Sequence, residues 1–432
     1  LGLSIVQNLS HYDLLAQVQT AAQQEDWSLA GQLLHVLILD EDAPLPSKTL
    51  FAQPQMAEQL LDLSLQVLHF GNFEDRWEIA KVLPQFGTEI IQPLLDLLRN
   101  DNSDPEVQWF VIRILGRFAH PAVVVALIQV LQTSDNEDLN GMAVMALAQM
   151  GTAAIAPLAE LLQQDSTRLL AVMTLGQIRH SETVPLLLTV VQDADAKIRA
   201  IAIEALSSFH APEITEVLLQ ALQDLSPIVR ASAVTGLGFC NEKLNLIEPL
   251  RLMLRDFDLQ VCIQAALTLG RIPHPDVVVA LSEVLRSPHT PEPLALEVVR
   301  ALGWVPLPEA LDSLHQAMDL SETVQLEVVQ TLGRVESLQP LAAQGLLKIL
   351  VQQPASAPLR QAIATALGQL GDPNAIDPLI QLLADPDEGV RLHVVAALRS
   401  LDSESAHYRL QALVETAEPN LKQGVMMALQ EW

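Results

Sequence analysis

Residues 366–401, Ala-Leu-Gly-Gln-Leu-Gly-Asp-Pro-Asn-Ala-Ile-Asp-Pro-Leu-Ile-Gln-Leu-Leu-Ala-Asp-Pro-Asp-Glu-Gly-Val-Arg-Leu-His-Val-Val-Ala-Ala-Leu-Arg-Ser-Leu, read as the end of one helix, a turn, a second helix, a second turn and a third helix. Asp372 before Pro373 predicts a helix start: a carboxylate cap, then a proline at the first helical position, where no amide bond is lost. Asp385-Pro386-Asp387 stops that helix and caps the next.

The rest of the chain rewrites this unit. Taking the leucine of Ala-Leu-Gly as anchor gives Leu83, Leu115, Leu147, Leu175, Leu206, Leu237, Leu269, Leu302, Leu332, Leu367, Leu398 and Leu429, in steps of 28 to 35 residues. Self-similarity at a fixed period of this size defines a solenoid of stacked helical pairs. The expected fold is an all-α solenoid of about twelve helical hairpins over residues 56–432. Residues 11–25 and 27–39 read as two further helices, and 43–54, with Pro44, Pro46 and Pro54, as a linker. Residues 1–55 are therefore expected to form a helical cap over the apolar end of the first repeat.

Composition agrees. Half the residues are apolar but only 4% are aromatic, so the core is built from Leu, Val, Ile and Ala, and strict alternation is scarce. The formal charge is −28, which opposes binding to nucleic acid or anionic lipid, both of which are held through Lys and Arg. Residues 1–75 carry ten acids against one base, Lys48. No uninterrupted apolar run is long enough to span a bilayer, and no basic leader precedes an apolar core. Cys240 and Cys262, 22 residues apart, read as two reduced thiols of a cytoplasmic protein.

Aligned on the anchor, the second helices sort into rows. Four residues before it stand Ile79, Val111, Ala143, Ala171, Ala202, Ala233, Ala265, Val298, Val328, Ile363, Val394 and Val425, and eight before it Val107, Ile198, Val229, Val261, Val324 and Val390, a continuous core stripe. Seven before it runs a basic row, Arg76, Arg168, Arg199, Arg230, Arg360, Arg391 and Lys422, with Asp193, Asp224 or Asp385 in the turns. An Asp–Arg ladder between neighbouring turns accounts for it, and an anion-binding ridge is the rival reading. His120, His180, His210 and His274 recur in turns, where capping explains them better than metal binding, since zinc needs four ligands within about 2.0–2.3 Å.

The pattern Ala-Leu-Gly-x-Leu-Gly-Asp-Pro-x-Ala-Ile-x-Pro-Leu-Ile-x-Leu-Leu-x-Asp-x-Asp-x-x-Val-Arg resembles HEAT repeats of the short type, often called phycobilisome-lyase HEAT-like repeats. The resemblance covers residues from about 70 to the end. It implies a protein-binding scaffold, or alternatively a subunit of a bilin lyase or an antenna maturation or turnover factor. With it come a cyanobacterial source and a phycobilisome or photosynthetic partner.

No phosphate loop, nucleophile elbow or zinc-protease motif occurs, so a non-catalytic protein without cofactor or metal is expected. The candidate site lies instead where copies depart from the template. Rows five and two before the anchor are expected to face solvent, and in repeats two to five they turn apolar: Phe110, Met142, Leu170 and Ile201 in one, Met145 and Met173 in the other. Trp77 and Trp109 stand at the N-terminal end of this ridge, with Lys81 and Arg113 beside it. Adaptable methionines edged by Trp and Arg suit a groove that holds a protein partner along the inner curve. The competing reading is that the ridge is packed, or that the N-terminal helices fold across it.

Overall fold

The computed structural model describes residues 11–39, 53–100, 104–240, 243–352, 356–401 and 403–432. Residues 40–52, which hold most of the expected linker, lie outside them. The described residues form helices and turns and no strand. The chain divides into two compact units, Leu1–Leu206 and Ser207–Trp432.

In the first unit the helices pair as α1 His11–Gln23 with α2 Trp27–Leu39, α3 Pro54–Phe70 with α4 Phe73–Val82, and α5 Ile91–Arg99 with α6 Pro105–Leu115. Next come α7 Pro121–Thr133 with α8 Glu137–Gln149, α9 Thr152–Leu161 with α10 Arg168–Gln177, and α11 Val184–Leu188 with α12 Ala196–Leu206. Second helices stack side by side, α4 on α6, α6 on α8, α8 on α10 and α10 on α12. The N-terminal pair follows the same rule: α2 packs on α4, and α1 on α3. It is thus the first layer of the stack, placed on the end of the first anchored repeat.

The second unit runs α13 Pro212–Ala221, α14 Pro227–Leu237, α15 Ile247–Met253, α16 Leu259–Leu269, α17 Pro275–Arg286, α18 Glu292–Trp304 and α19 Pro308–Gln316. It continues through α20 Glu322–Gly333, α21 Gln339–Val351, α22 Ala357–Leu370, α23 Ile376–Leu382, α24 Glu388–Leu401, α25 Ser403–Leu413 and α26 Pro419–Gln430. Here too second helices stack in order, α14 on α16, α16 on α18, α18 on α20, α20 on α22 and α22 on α24.

The anchor rule locates the core. Eleven of the twelve anchor leucines are 0% exposed, as is every residue four positions before an anchor; only Leu429 is half-buried. Each such leucine stabilises the stack by about 1.5–3 kcal/mol. The glycine after the anchor meets the next second helix at the residue just before its own anchor. A Cβ on Gly270 would lie 2.8 Å from the Cβ and carbonyl oxygen of Ala301, and one on Gly333 2.7 Å from the Ala366 Cβ. Small residues on both sides let two helix backbones approach closely.

The starting stretch folds as its turn residues dictate. Asp372 accepts from the Asn374 N–H at 2.9 Å, and a short 3₁₀ turn, Pro373–Ala375, leads into α23. Asp385 accepts from the Asp387 N–H at 2.9 Å, and Asp387 from the Val390 N–H at 2.9 Å, which starts α24. His120, His180 and His274 do the work of Asp372: each Nδ1 accepts the N–H two residues on, at 3.2, 3.3 and 3.2 Å. His210 does not, because Ala211 holds the cap position before α13.

Candidate functional site

Three second helices of the first unit, α4, α6 and α8, bring together a groove of about 590 Å³ lined by Trp77, Ala80, Lys81, Trp109, Arg113, Ile114, Arg117, Met142, Met145, Ala146 and Gln149. Helical periodicity places these side chains. Residues six and two before an anchor are four apart, one turn along the same face, so Trp77 lies beside Lys81 and Trp109 beside Arg113. That face points away from the core stripe. Trp77 is 36% and Met145 49% exposed, whereas Trp109, Arg113 and Met142 are half-buried.

The Arg113 guanidinium reaches back across the repeat boundary. Its carbon lies 3.8 Å from the Trp77 ring centroid, closer than the 5.6 Å to Trp109 on its own helix. Stacking on the indole leaves the in-plane N–H groups of the guanidinium available. Among the described residues neither Arg113 nor Arg117 pairs with a carboxylate, whereas Lys81 is held by Glu78 at 2.6 Å.

Phe110 overturns part of the sequence expectation. It was placed on the solvent-facing ridge, yet it is 0% exposed. Its ring is covered by Phe73, Trp77 and Trp109, with centroids 5.4, 6.4 and 5.1 Å away. The reason is geometric: at 3.6 residues per turn, five residues before the anchor falls about 60° from the row eight before it, at the edge of the core stripe, so the side chain enters the seam between adjacent second helices. Met142, Leu170 and Ile201 in the same row are half-buried rather than fully exposed. The row two before the anchor does face solvent, as Met145 and Met173 show. Of the nine predicted residues, Trp77, Trp109, Arg113, Met142 and Met145 line one groove, and Phe110 lies buried against the rings of its two tryptophans. Leu170 and Met173 on α10 and Ile201 on α12 are not among its lining residues. Sequence reasoning missed Arg117, Ile114 and Phe73. Phe73, 53% exposed and stacked on Trp77 at 6.1 Å, extends the aromatic surface and follows the helix-capping Asn72.

The basic row seven before the anchor binds turns together. Arg230 holds Asp256 of the next turn by two bonds of 2.7 Å, and Arg360 holds Asp385 by bonds of 2.6 and 3.2 Å. Arg76 pairs with Asp104 and Glu106, and Arg168 reaches Asp193 at 3.4 Å. Several row residues also donate to carbonyls of their own preceding turn: Arg199 to Asp193, Arg230 to Asp224 and Arg391 to Asp385. Gln108, Asn140 and Gln325 do the same without charge, donating to Leu98, Ser134 and Met318. The position carries a donor in most second helices, Ala295 before Leu302 being an exception, and Arg adds a bridge where the next turn supplies an acid. Burial pushes the Asp256 carboxyl up, but the Arg230 and Asp258 hydrogen bonds outweigh it and hold the pKa below the ordinary carboxylate value.

Cys262 occupies this position in α16, and its thiol donates to the Asp256 carbonyl at 3.2 Å. Burial and the nearby Asp256 raise its pKa, so it stays protonated. Among the described residues no cluster of His, Cys, Asp or Glu could hold a metal ion, and no helix is long and apolar enough to cross a membrane.

Stacked helical pairs with a shared core stripe, turn-to-turn ladders and an apolar groove on the second-helix face define the α-solenoid class of repeat protein. The HEAT-repeat model matches residues 91–170, 164–238, 215–295 and 343–430, more than half of the chain, and the chain belongs to the HEAT-repeat family. Comparison with curated protein sequences gives no match. Among solved structures, Kap121p bound to Pho4p is similar with a TM-score of 0.57 at 13% identity over 96% of this chain. Kap95p, from a study of its binding to RanGDP, gives 0.51 at 14% identity over 96% of this chain. This chain spans 53% of the former and 63% of the latter. The complex of CpcE and CpcF of phycocyanin lyase from Nostoc gives 0.32 at 20% identity, covering 57% of this chain and 94% of that one. These likenesses concern the fold.

Proposed function

We propose that the protein is a non-catalytic scaffold that holds a protein partner on the second-helix face of its first unit, with Trp77, Trp109, Arg113, Met142 and Met145 as the contact surface. The carrying observation is the convergence of two tryptophans and two methionines from three successive second helices on one open groove. Tryptophan and arginine dominate binding energy at protein interfaces, and methionine adapts to varied apolar partners. Kap121p and Kap95p, which share the fold, are described in complex with or binding other proteins.

A photo-crosslinking amino acid at Met145, compared with one at the more exposed Val125 on α7, tests this in cells that express the protein. The expected result is a discrete adduct from position 145 that disappears when Trp77 and Trp109 are changed to alanine. Equal adducts from both positions, or one indifferent to the tryptophans, would remove the groove from the interface. Covalent colour on an antenna subunit co-expressed with the protein and bilin would favour the lyase alternative over a scaffold.

A further inference from the structure

We infer that the groove takes an acidic, apolar peptide segment, one whose carboxylates pair with Arg113 and Arg117 while its aliphatic or aromatic side chains rest on Trp77, Met142 and Met145. The inference deepens the scaffold proposal and rests on it. Its basis is a local inversion of charge. The chain carries 52 acids against 24 bases, and the described ladder arginines of the turns spend their donors on acids and carbonyls. The groove is different. Lys81, Arg113 and Arg117 line it, no acid is among its lining residues, and Glu78, one turn from Lys81, is engaged by it.

The geometry of Arg113 favours a carboxylate. Its face is occupied by Trp77 at 3.8 Å, which fixes the plane of the guanidinium and leaves its edge to donate. A planar fork held in place is suited to bidentate carboxylate recognition, and a neighbouring apolar wall lowers the dielectric around the pair. Arg117, one turn further along at the end of α6, is exposed and supplies a second cation on the same side. The apolar share of the site, two indoles, Ile114 and two thioethers, requires a ligand that is apolar on its other side. A segment with carboxylates on one face and Leu, Met or Phe at a helical spacing meets both demands.

Net charge sets the limit on size. At physiological salt, charges beyond roughly 8 Å are screened, so a short acidic segment is governed by the three bases around it. A long polyanion extends past the groove onto acidic surface and is repelled. A short peptide is therefore favoured over nucleic acid.

The test uses the full-length protein and three fluorescein-labelled amphipathic 16-residue peptides with one shared Leu/Phe pattern and acidic, neutral or basic polar faces, titrated by anisotropy at 0.15 M salt. The acidic peptide is expected to bind on the order of tenfold more tightly than the neutral one, as two surface ion pairs allow, and the basic peptide more weakly still. Arg113→Glu with Arg117→Glu should reverse that order, and Met145→Asp should weaken all three. Equal binding of the three peptides, abolished by Met145→Asp, would overturn the acidic preference while leaving the groove as a docking site. Binding that ignores Met145→Asp, or no binding by any peptide, would overturn both. Far-UV circular dichroism of each variant separates these outcomes from misfolding.

Discussion

Removing one partner of the Arg230–Asp256 pair gives the sharpest measure of how the stack holds together. The side chains are 13% and 7% exposed and joined by two bonds of 2.7 Å, so the pair is mostly withdrawn from water. Asp256→Asn keeps the acceptor for the Asp258 N–H but removes the charge, and should cost about 2 kcal/mol, the lower range for hydrogen bonds to charged groups. Arg230→Met removes in addition the bonds to the Asp224 and Leu225 carbonyls, leaves Asp256 charged and unpaired, and should cost about 3 kcal/mol. The double variant no longer strands either charge. It should cost about 3 kcal/mol rather than 5, a coupling near 2 kcal/mol. Because repeat stacks need not unfold in one step, the quantity to measure is native-state hydrogen exchange of amides in α14 and α16. The acid limb carries the same signature. The Asp256 pKa is depressed on folding, so its contribution is complete above the unfolded value of about 3.9 and is lost as the pH falls through the lower folded value. Wild-type protection should therefore drop more steeply below about pH 4 than that of Asp256→Asn. Additive single costs, within about 0.5 kcal/mol, would refute the ladder and leave these arginines free for anions.

Other outcomes follow from the same geometry. Gly270→Ala places a methyl 2.8 Å from Ala301 and should cost about 1–3 kcal/mol in thermal or urea unfolding. Gly141→Ala, exposed within α8 with nothing inside 4 Å, should stabilise by about 0.5–1 kcal/mol. Phe110→Ala should cost about 3–5 kcal/mol and shift the fluorescence of Trp77 and Trp109, whose rings rest on it. His274→Asp should match or exceed wild-type stability in urea, while His274→Ala should lose about 0.5–1 kcal/mol, because the cap needs an acceptor and not an imidazole.

Much of the fold was legible because repeat periodicity averages over noise. One leucine every 28 to 35 residues fixes the second helices, and Ile79 through Val425 are all fully buried as the period requires. The site was legible in part. Met145 stands out because it breaks a polar row and Trp77 and Trp109 because they border it, but the row pattern misplaces Phe110, since whether the edge of a stripe is covered depends on the neighbouring helix. Arg117 and Ile114 carried no signal in their rows and join the groove only through stacking. The donor row reads as basic because arginine dominates it, while Gln108, Asn140, Cys262 and Gln325 show their shared role only once the turn carbonyls are seen.

The thiol of Cys262 serves its own turn, but it is too short to cross to the following one, and the turn before α18 offers threonine and proline in place of an aspartate. A cavity of about 360 Å³ opens between these two turns, lined by Cys262, Asp256, Thr290 and Pro291. In a linear array whose cooperativity is passed from each repeat to the next, a missing rung lowers the cost of a domain wall. The junction of α16 with α18 is thus one at which a partly unfolded second unit would divide, its two sides melting as separate blocks.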